Sequence, residues 1–405
     1  MIQGKSKSEL TTVTEAYRLI SEQNIMLENI SVKLAEAYGR ILSKDIVAPI
    51  ALPPFDQSAM DGYAIRFEDL EACKEFNLAG EVAAGDIPFD KVEKGYAVRI
   101  FTGAALPSDL DTVIIQEEVT ISNGKITFAI SNVVAGQNVR ITGAQIAEGE
   151  IALEKGHILT AGGIGYLGAL GVKEVVVTKL PVVEIIVTGN ELKMPGEDLL
   201  KGQIYESNSV ALTSALFSCG ISGAKISFAS DDLNEIRTKI DRALEQSDIL
   251  LITGGVSVGD YDFTGKALQE IGVKNIFYKI AQKPGKPLYF GRKDNKLVFG
   301  LPGNPASVLS CFYEYVYPVL RKMQGLKGNP HLFSVMLPLG EDLKKKPGLT
   351  LFLKGQIVKG EVYPLSGQES FILSSFAHAN CLIRISAESD GMKQGDLVEC
   401  HLLPQ

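Results

Sequence analysis

Histidine is scarce in this 405-residue chain, four in all. None of the four flanks a turn-rich motif, so a Ser–His–Asp arrangement or other histidine-based acid–base chemistry is not expected. Cysteine is also sparse. The five (Cys73, Cys219, Cys311, Cys381, Cys400) are odd in number, widely scattered and without a CxxC pair. That excludes the usual patterns of a disulfide framework or a structural zinc site. Cys219 and Cys311 sit in apolar helical patterns and read as buried free thiols in a reducing compartment. Long apolar runs are missing too. The best candidate, 175–187, is interrupted by Lys179, Pro181 and Glu184, so no membrane span is expected. Residues 1–10 carry lysines with no following apolar stretch, so no secretory leader is expected, and the expected location is the cytoplasm. Finally, positive charge is in deficit. A net charge of −8 leaves no general basic face for nucleic acid. An anionic substrate then has to be held by local devices: a metal ion, loop lysines or helix N-termini.

What is present is a globular composition, 45% apolar and 22% charged, over a length that suggests two to four domains. The first fifty residues read as helical, with apolar residues at three-to-four spacing around 14–20 and 32–37 and Gly39 as a C-cap. From about 51 to 139 the texture is β-rich. There the flanks 119–122 and 125–128 alternate around Asn123-Gly124, which tolerates the positive φ of a type I′ hairpin turn. From about 180 to 327, strands and helices alternate. Strands are expected at 182–187, 224–228, 248–253 and 297–299, helices at 207–218 and 233–244, and another helix runs from Asn304-Pro305 to Lys322. Apolar strands without alternation, separated by helices, specify a mostly parallel sheet covered on both faces, an α/β fold. From about 328 to the end a small β domain is expected. Lys344-Lys345-Lys346 reads as a solvated loop.

In an open parallel sheet, ligands bind beyond the carboxyl ends of the strands. The unusual residues of the α/β segment fall there: Thr188-Gly189-Asn190-Glu191, Asp231, Gly254-Gly255-Val256-Ser257-Val258-Gly259, and Pro302-Gly303-Asn304-Pro305. Gly254 and Gly255 suit a turn whose amides approach an anion, although a plain strand-to-helix turn would use the same residues. Asp260 and Asp262 beside such a turn make sense if Mg²⁺ bridges them to a phosphate. Asp260 is equally suited to cap the next helix, which leaves Asp262 as the better ligand. Asn304 suits an N-cap and Pro305 the first helical position, so free amides there would face the loop. Lys283-Pro284-Gly285-Lys286-Pro287 presents two lysines on a stiff turn, apt for an oxyanion. In the β-rich part, Phe55, Met60 and Tyr63 read as packing residues and Asp61 as a turn residue before Gly62.

Six motifs in order carry a resemblance: Pro53-Pro54-Phe55-Asp56-Gln57-Ser58-Ala59-Met60-Asp61-Gly62-Tyr63-Ala64, Thr102-Gly103-Ala104, Thr188-Gly189-Asn190-Glu191-Leu192, Gly254 to Gly259, Lys283 to Pro287, and Leu301-Pro302-Gly303-Asn304-Pro305. Together they resemble the molybdopterin molybdenumtransferases, a family whose animal counterpart is the C-terminal part of gephyrin. The resemblance implies four parts: a split helical and β domain (1–50 with 140–179), an inserted β-rich domain (51–139), a three-layer α/β/α molybdopterin-binding domain (180–327) and a C-terminal β-barrel (328–405). It implies a homodimer whose site is shared between subunits, which would give Asp61 and Thr102 a role. It implies adenylylated molybdopterin and molybdate as substrates, Mg²⁺ as cofactor and AMP as a product. The upstream adenylyltransferase and recipient molybdoenzymes are implied partners. By the same resemblance, Asp262, Asp231 and Glu191 would hold Mg²⁺ (Asp262 and Glu191 as its ligands) or position water. Ser257, Lys283, Lys286 and Pro287 would line the molybdate position, while Gly254, Gly255, Pro302 and Asn304 contact substrate. Three departures stand out: Asn190 replaces an aspartate, Gly143-Ala144-Gln145 lacks an acidic pair, and the barrel stretch 348–354 lacks the family's arginine, whose contact to molybdate is either replaced by Lys354 or lost. A non-catalytic scaffold or molybdopterin-binding protein on the same fold is the alternative.

Overall fold

The computed structural model describes residues 10–128, 133–255 and 263–404. The expected apolar strand near 182–187 forms as Val183–Thr188, buried along nearly its whole length. It sits inside a six-stranded sheet ordered Lys225–Ala229, Val183–Thr188, Ile249–Thr253, Lys296–Leu301, Tyr289–Lys293, Lys274–Tyr278. The first four strands run parallel. The last two are antiparallel, and neither was read from the sequence. Side chains alternate across the sheet. Ile185, Leu251 and Phe299 pack on one face with Leu212, Leu216 and Phe312. Ile186, Leu250 and Val298 pack on the other with Ile236, Ile240 and Leu268. Each such aliphatic side chain contributes roughly 1.5–3 kcal/mol on burial. Helix Leu233–Gln246 covers the second face because Ile236, Ile240, Ala243 and Leu244 form one stripe; it starts where the Asp232 side chain accepts from Glu235 N.

The N-terminal helix is real at Val13–Ser21, capped by Thr12, but the helix expected at 32–37 is not. Asn29–Lys33 is a strand paired antiparallel with Glu174–Thr178, followed by a single 3₁₀ turn, Leu34–Glu36. Ile30 and Val32 alternate with polar residues and pack toward the core shared with Val175 and Val177; the run of period two merges into the turn and imitates helical spacing. Ile46–Val47 pairs likewise with Ile151–Leu153. Between these pairings lies a six-stranded sheet built from residues 62–128. Its terminal hairpin has the expected Asn123-Gly124 turn, with φ of 50° and 76°.

In the C-terminal part, strands Thr350–Val358, Cys381–Ile385, Leu397–Leu402 and Ser334–Pro338 form a sheet in that order. Gln282–Lys283 joins its edge, parallel to Thr350 and Leu351, and so ties the α/β segment to this sheet. The basic run is not simply solvated: Lys345 Nζ donates to the carbonyls of Ser386, Ala387 and Ser389. Phe55 and Met60 are also not packing residues within the chain, at 45% and 48% exposure, whereas Tyr63 is buried. Cys219 and Cys311 are free and buried, as expected. No helix among the described residues is long and apolar enough to cross a membrane.

Candidate active site

A cleft of about 800 Å³ opens at the carboxyl ends of the parallel strands. Its floor is made where Val183–Thr188 and Ile249–Thr253 end. Gly254 and Gly255 turn the chain there with φ of 82° and 64°. Both positions require glycine. A Cβ on Gly254 would lie 2.5 Å from the Thr188 carbonyl oxygen, and one on Gly255 would lie 2.5 Å from Thr264 Oγ1. The two strand ends are tied by Thr188 Oγ1, which donates to Thr253 O at 3.2 Å.

The walls come from separate loops. Glu191 follows the first strand and Asp231 the strand Lys225–Ala229, and both line the cleft. Asn190 and Asp231 bind each other reciprocally: Asn190 N donates to Asp231 Oδ2 at 3.4 Å and Asp231 N to Asn190 Oδ1 at 3.2 Å. A third carboxylate, Glu206, is buried and committed to structure, accepting from Ser209 N at 2.8 Å and Ser209 Oγ at 2.6 Å to start helix Asn208–Phe217. Opposite stand Pro302, Gly303, Asn304 and Pro305. Asn208 Nδ2 joins the two sides by donating to Gly303 O at 2.9 Å. Among the described residues, the buried Asn208 Oδ1 and the hydroxyls of Thr253 and Thr264 have no partner.

Asn304 does occupy the N-cap of helix Pro305–Cys311, but its side chain does not cap it. It donates instead to Ser370 Oγ at 2.8 Å, and Ala306 N donates to Ser370 O at 3.1 Å. The free amides expected there are thus partly engaged by a loop of the C-terminal part, which also brings Phe371 to the cleft. Pro287 lines the cleft, and its chain neighbour Lys286 is exposed, as is Lys283. Lys354 does not reach the cleft: it is buried, with Nζ donating to the carbonyls of Gly367, Glu369 and Ile372.

Of the residues singled out from sequence, the cleft therefore gathers Glu191, Asp231, Gly254, Gly255, Pro287, Pro302 and Asn304. Asp61 and Thr102 lie in the β-rich part, not among the lining residues. There Thr102 N and Oγ1 each donate to Asp61 Oδ1 at 2.8 Å. The backbone bond and then the hydroxyl bond from Thr102 hold the Asp61 carboxyl below the usual value. Ser257, Asp260 and Asp262 lie outside the described residues. Sequence reasoning missed Glu206, Asn208 and Phe371. Glu206 carried a signal, three residues before Ser209 at a helix start, but Phe371 carried none.

The cleft thus sets carboxylates on one side, a glycine turn beneath and the start of helix Pro305–Cys311 opposite, and among its described lining residues there is no lysine or arginine, so an anion bound there would need a cation beside it. Residues 11–171 match the MoeA N-terminal region (domain I and II), 184–322 a probable molybdopterin binding domain, and 336–403 the MoeA C-terminal region (domain IV). The chain is 37% identical over 373 residues to the molybdopterin molybdenumtransferase of Haemophilus influenzae, covering 90% of this chain and 91% of that one. It is 32% identical over 402 residues to that of Staphylococcus epidermidis, covering 96% and 95%. The solved structure of the molybdopterin biosynthesis MoeA protein from Pyrococcus horikoshii OT3 superposes with a TM-score of 0.84 at 32% identity, over 98% of this chain and all of that one.

Proposed function

The chain belongs to the molybdopterin molybdenumtransferase family, and from that premise we propose that it inserts molybdenum from molybdate into adenylylated molybdopterin, releasing AMP and yielding molybdenum cofactor. One observation carries this reading: Glu191, Asp231, Gly254, Gly255, Pro287, Pro302 and Asn304, spread over more than a hundred positions of sequence, line one cleft. The Gly254-Gly255 turn offers backbone amides to the diphosphate link. Glu191 and Asp231 orient the water or the phosphoryl group at which the adenylate is cleaved. Lys283 and Lys286, with Ser257, receive the tetrahedral oxyanion.

Magnesium fits the donor chemistry. Glu191 and Asp231 offer only oxygen, and Mg²⁺ takes one or two carboxylates and completes its shell with water and phosphate oxygens. Glu191, with Asp262, would hold it, and when bound it would offset phosphate charge beside the carboxylates. We read the active enzyme as a cytoplasmic homodimer in which Asp61 and Thr102 of the second copy complete the cleft. The exposed Phe55 and Met60 suit burial between copies. The four-part division near residues 50, 140, 180 and 327, with the C-terminal sheet as a β-barrel, belongs to the same reading. The test is to incubate the full chain with adenylylated molybdopterin, Mg²⁺ and molybdate and to follow AMP and dithiolene-bound molybdenum. Both should appear together; nucleotide left intact would return the chain to the scaffold reading.

A further inference from the structure

We propose that Phe371 is a stacking platform for a flat, fused heteroaromatic ring of the substrate, and that Lys354 is the positioning residue that sets it in the cleft. The proposal rests on the functional reading above. Phe371 is 66% exposed yet lines the cleft, the one large aromatic side chain that the C-terminal part contributes there. An exposed aromatic side chain at the wall of a cleft is available to a ring that enters. Both ends of adenylylated molybdopterin, pterin and purine, are such rings.

The loop around Phe371 is held from two sides. Below it, Lys354 is 1% exposed, and its ammonium donates to Gly367 O at 2.7 Å, Ile372 O at 3.0 Å and Glu369 O at 3.4 Å. The acceptors are main-chain carbonyls on both sides of Phe371, so the buried ammonium fixes the path of the loop. Gln368 closes back on the same lysine: its Oε1 accepts from Lys354 N at 3.0 Å and its Nε2 donates to Lys354 O at 2.8 Å. Above it, Ser370 is bonded to Asn304 and Ala306 at the cleft wall. The residue before Phe371 is thus tied to the α/β part and the residue after it to Lys354. A ring so braced loses little freedom when a second ring stacks on it.

The test uses the full chain and the variants Phe371→Ala, Phe371→Trp, Lys354→Met and the Ala/Met double variant. Binding of AMP and of a hydroxymethyl pterin is measured by calorimetry, and AMP release from adenylylated molybdopterin gives KM and kcat. Phe371→Ala should weaken one of the two ring probes by roughly ten- to a hundredfold and raise KM in proportion, with kcat nearly unchanged. The probe affected identifies the ring. Phe371→Trp should keep wild-type binding. Lys354→Met should raise KM like Phe371→Ala, and the double variant should be no worse than either. Wild-type KM and wild-type binding of both probes in Phe371→Ala would overturn the platform, and a wild-type KM in Lys354→Met would overturn the positioning role. A wild-type chain that releases no AMP would instead remove the functional reading, and the platform with it.

Discussion

Replacing Gly254 by alanine tests whether the cleft floor depends on direct backbone approach between strand ends. The position carries φ of +82°, and an added Cβ would meet Thr188 O at 2.5 Å and Thr188 Oγ1 at 2.7 Å. The left-handed conformation costs an L-residue roughly 1–2 kcal/mol. The carbonyl oxygen belongs to a central strand and cannot swing aside as a side-chain tip would, so overpacking adds roughly 1–3 kcal/mol. Gly272 supplies an internal control: its φ is +78° but nothing lies within 4 Å of the added Cβ. Gly272→Ala should therefore lose only the conformational part, and Gly254→Ala should exceed it by about 1–3 kcal/mol. Any gain from a stiffer unfolded chain is common to both and cancels. Amide exchange of the strand Ile249–Thr253 reads unfolding of this sheet directly, and urea midpoints give a second measure. Equal losses in the two variants would refute the steric argument.

A buried network links the N-terminal helix, the helical run after Pro305 and the last strand: Tyr17 OH donates to Glu314 Oε2 at 2.6 Å, and His401 Nδ1 lies 2.8 Å from Glu314 Oε1. Burial lowers the His401 pKa, but Glu314 and then Glu399 outweigh it and the net shift is upward from 6.5. Tyr17, His331 and Arg384 surround the same cluster. A raised folded pKa gives stability that is fully present below the unfolded value and fades as pH rises through the folded one. The deficit of His401→Gln against wild type should thus shrink as pH rises from the unfolded histidine value through the raised folded one, and a constant deficit would contradict this. Thr102→Val removes one of the two bonds to Asp61 Oδ1, so the Asp61 carboxyl should titrate higher by NMR; an unmoved titration would leave the hydroxyl without influence. Glu191→Gln should keep the fold while lowering AMP release by about a hundredfold or more, and undiminished release would take Glu191 out of the mechanism.

The α/β part was legible because its inner strands Val183–Thr188, Ile249–Thr253 and Lys296–Leu301 are largely apolar on both faces and its glycines have local reasons, as at Gly254 and Gly255. The two antiparallel strands Lys274–Tyr278 and Tyr289–Lys293 were not, since Asn275, Arg292 and Lys293 interrupt any apolar run. The strand Asn29–Lys33 was misread because its period of two continues into a 3₁₀ turn. In the site, residues next to strand ends were readable from chain order alone. The roles of Asn304, Lys354 and Phe371 were not, because the loop that carries Phe371 is tied to Asn304 across 66 positions and to Lys354 across 13. Asp61 looked like a turn residue, and its bonds from Thr102 span 41 positions.

The most direct measurement is a structure of the chain determined with adenylylated molybdopterin bound. The expected result is a diphosphate link over the Gly254-Gly255 turn, with Glu191 and Asp231 beside it. Ligand bound on another face, with the strand-end cleft left to solvent, would contradict the assignment.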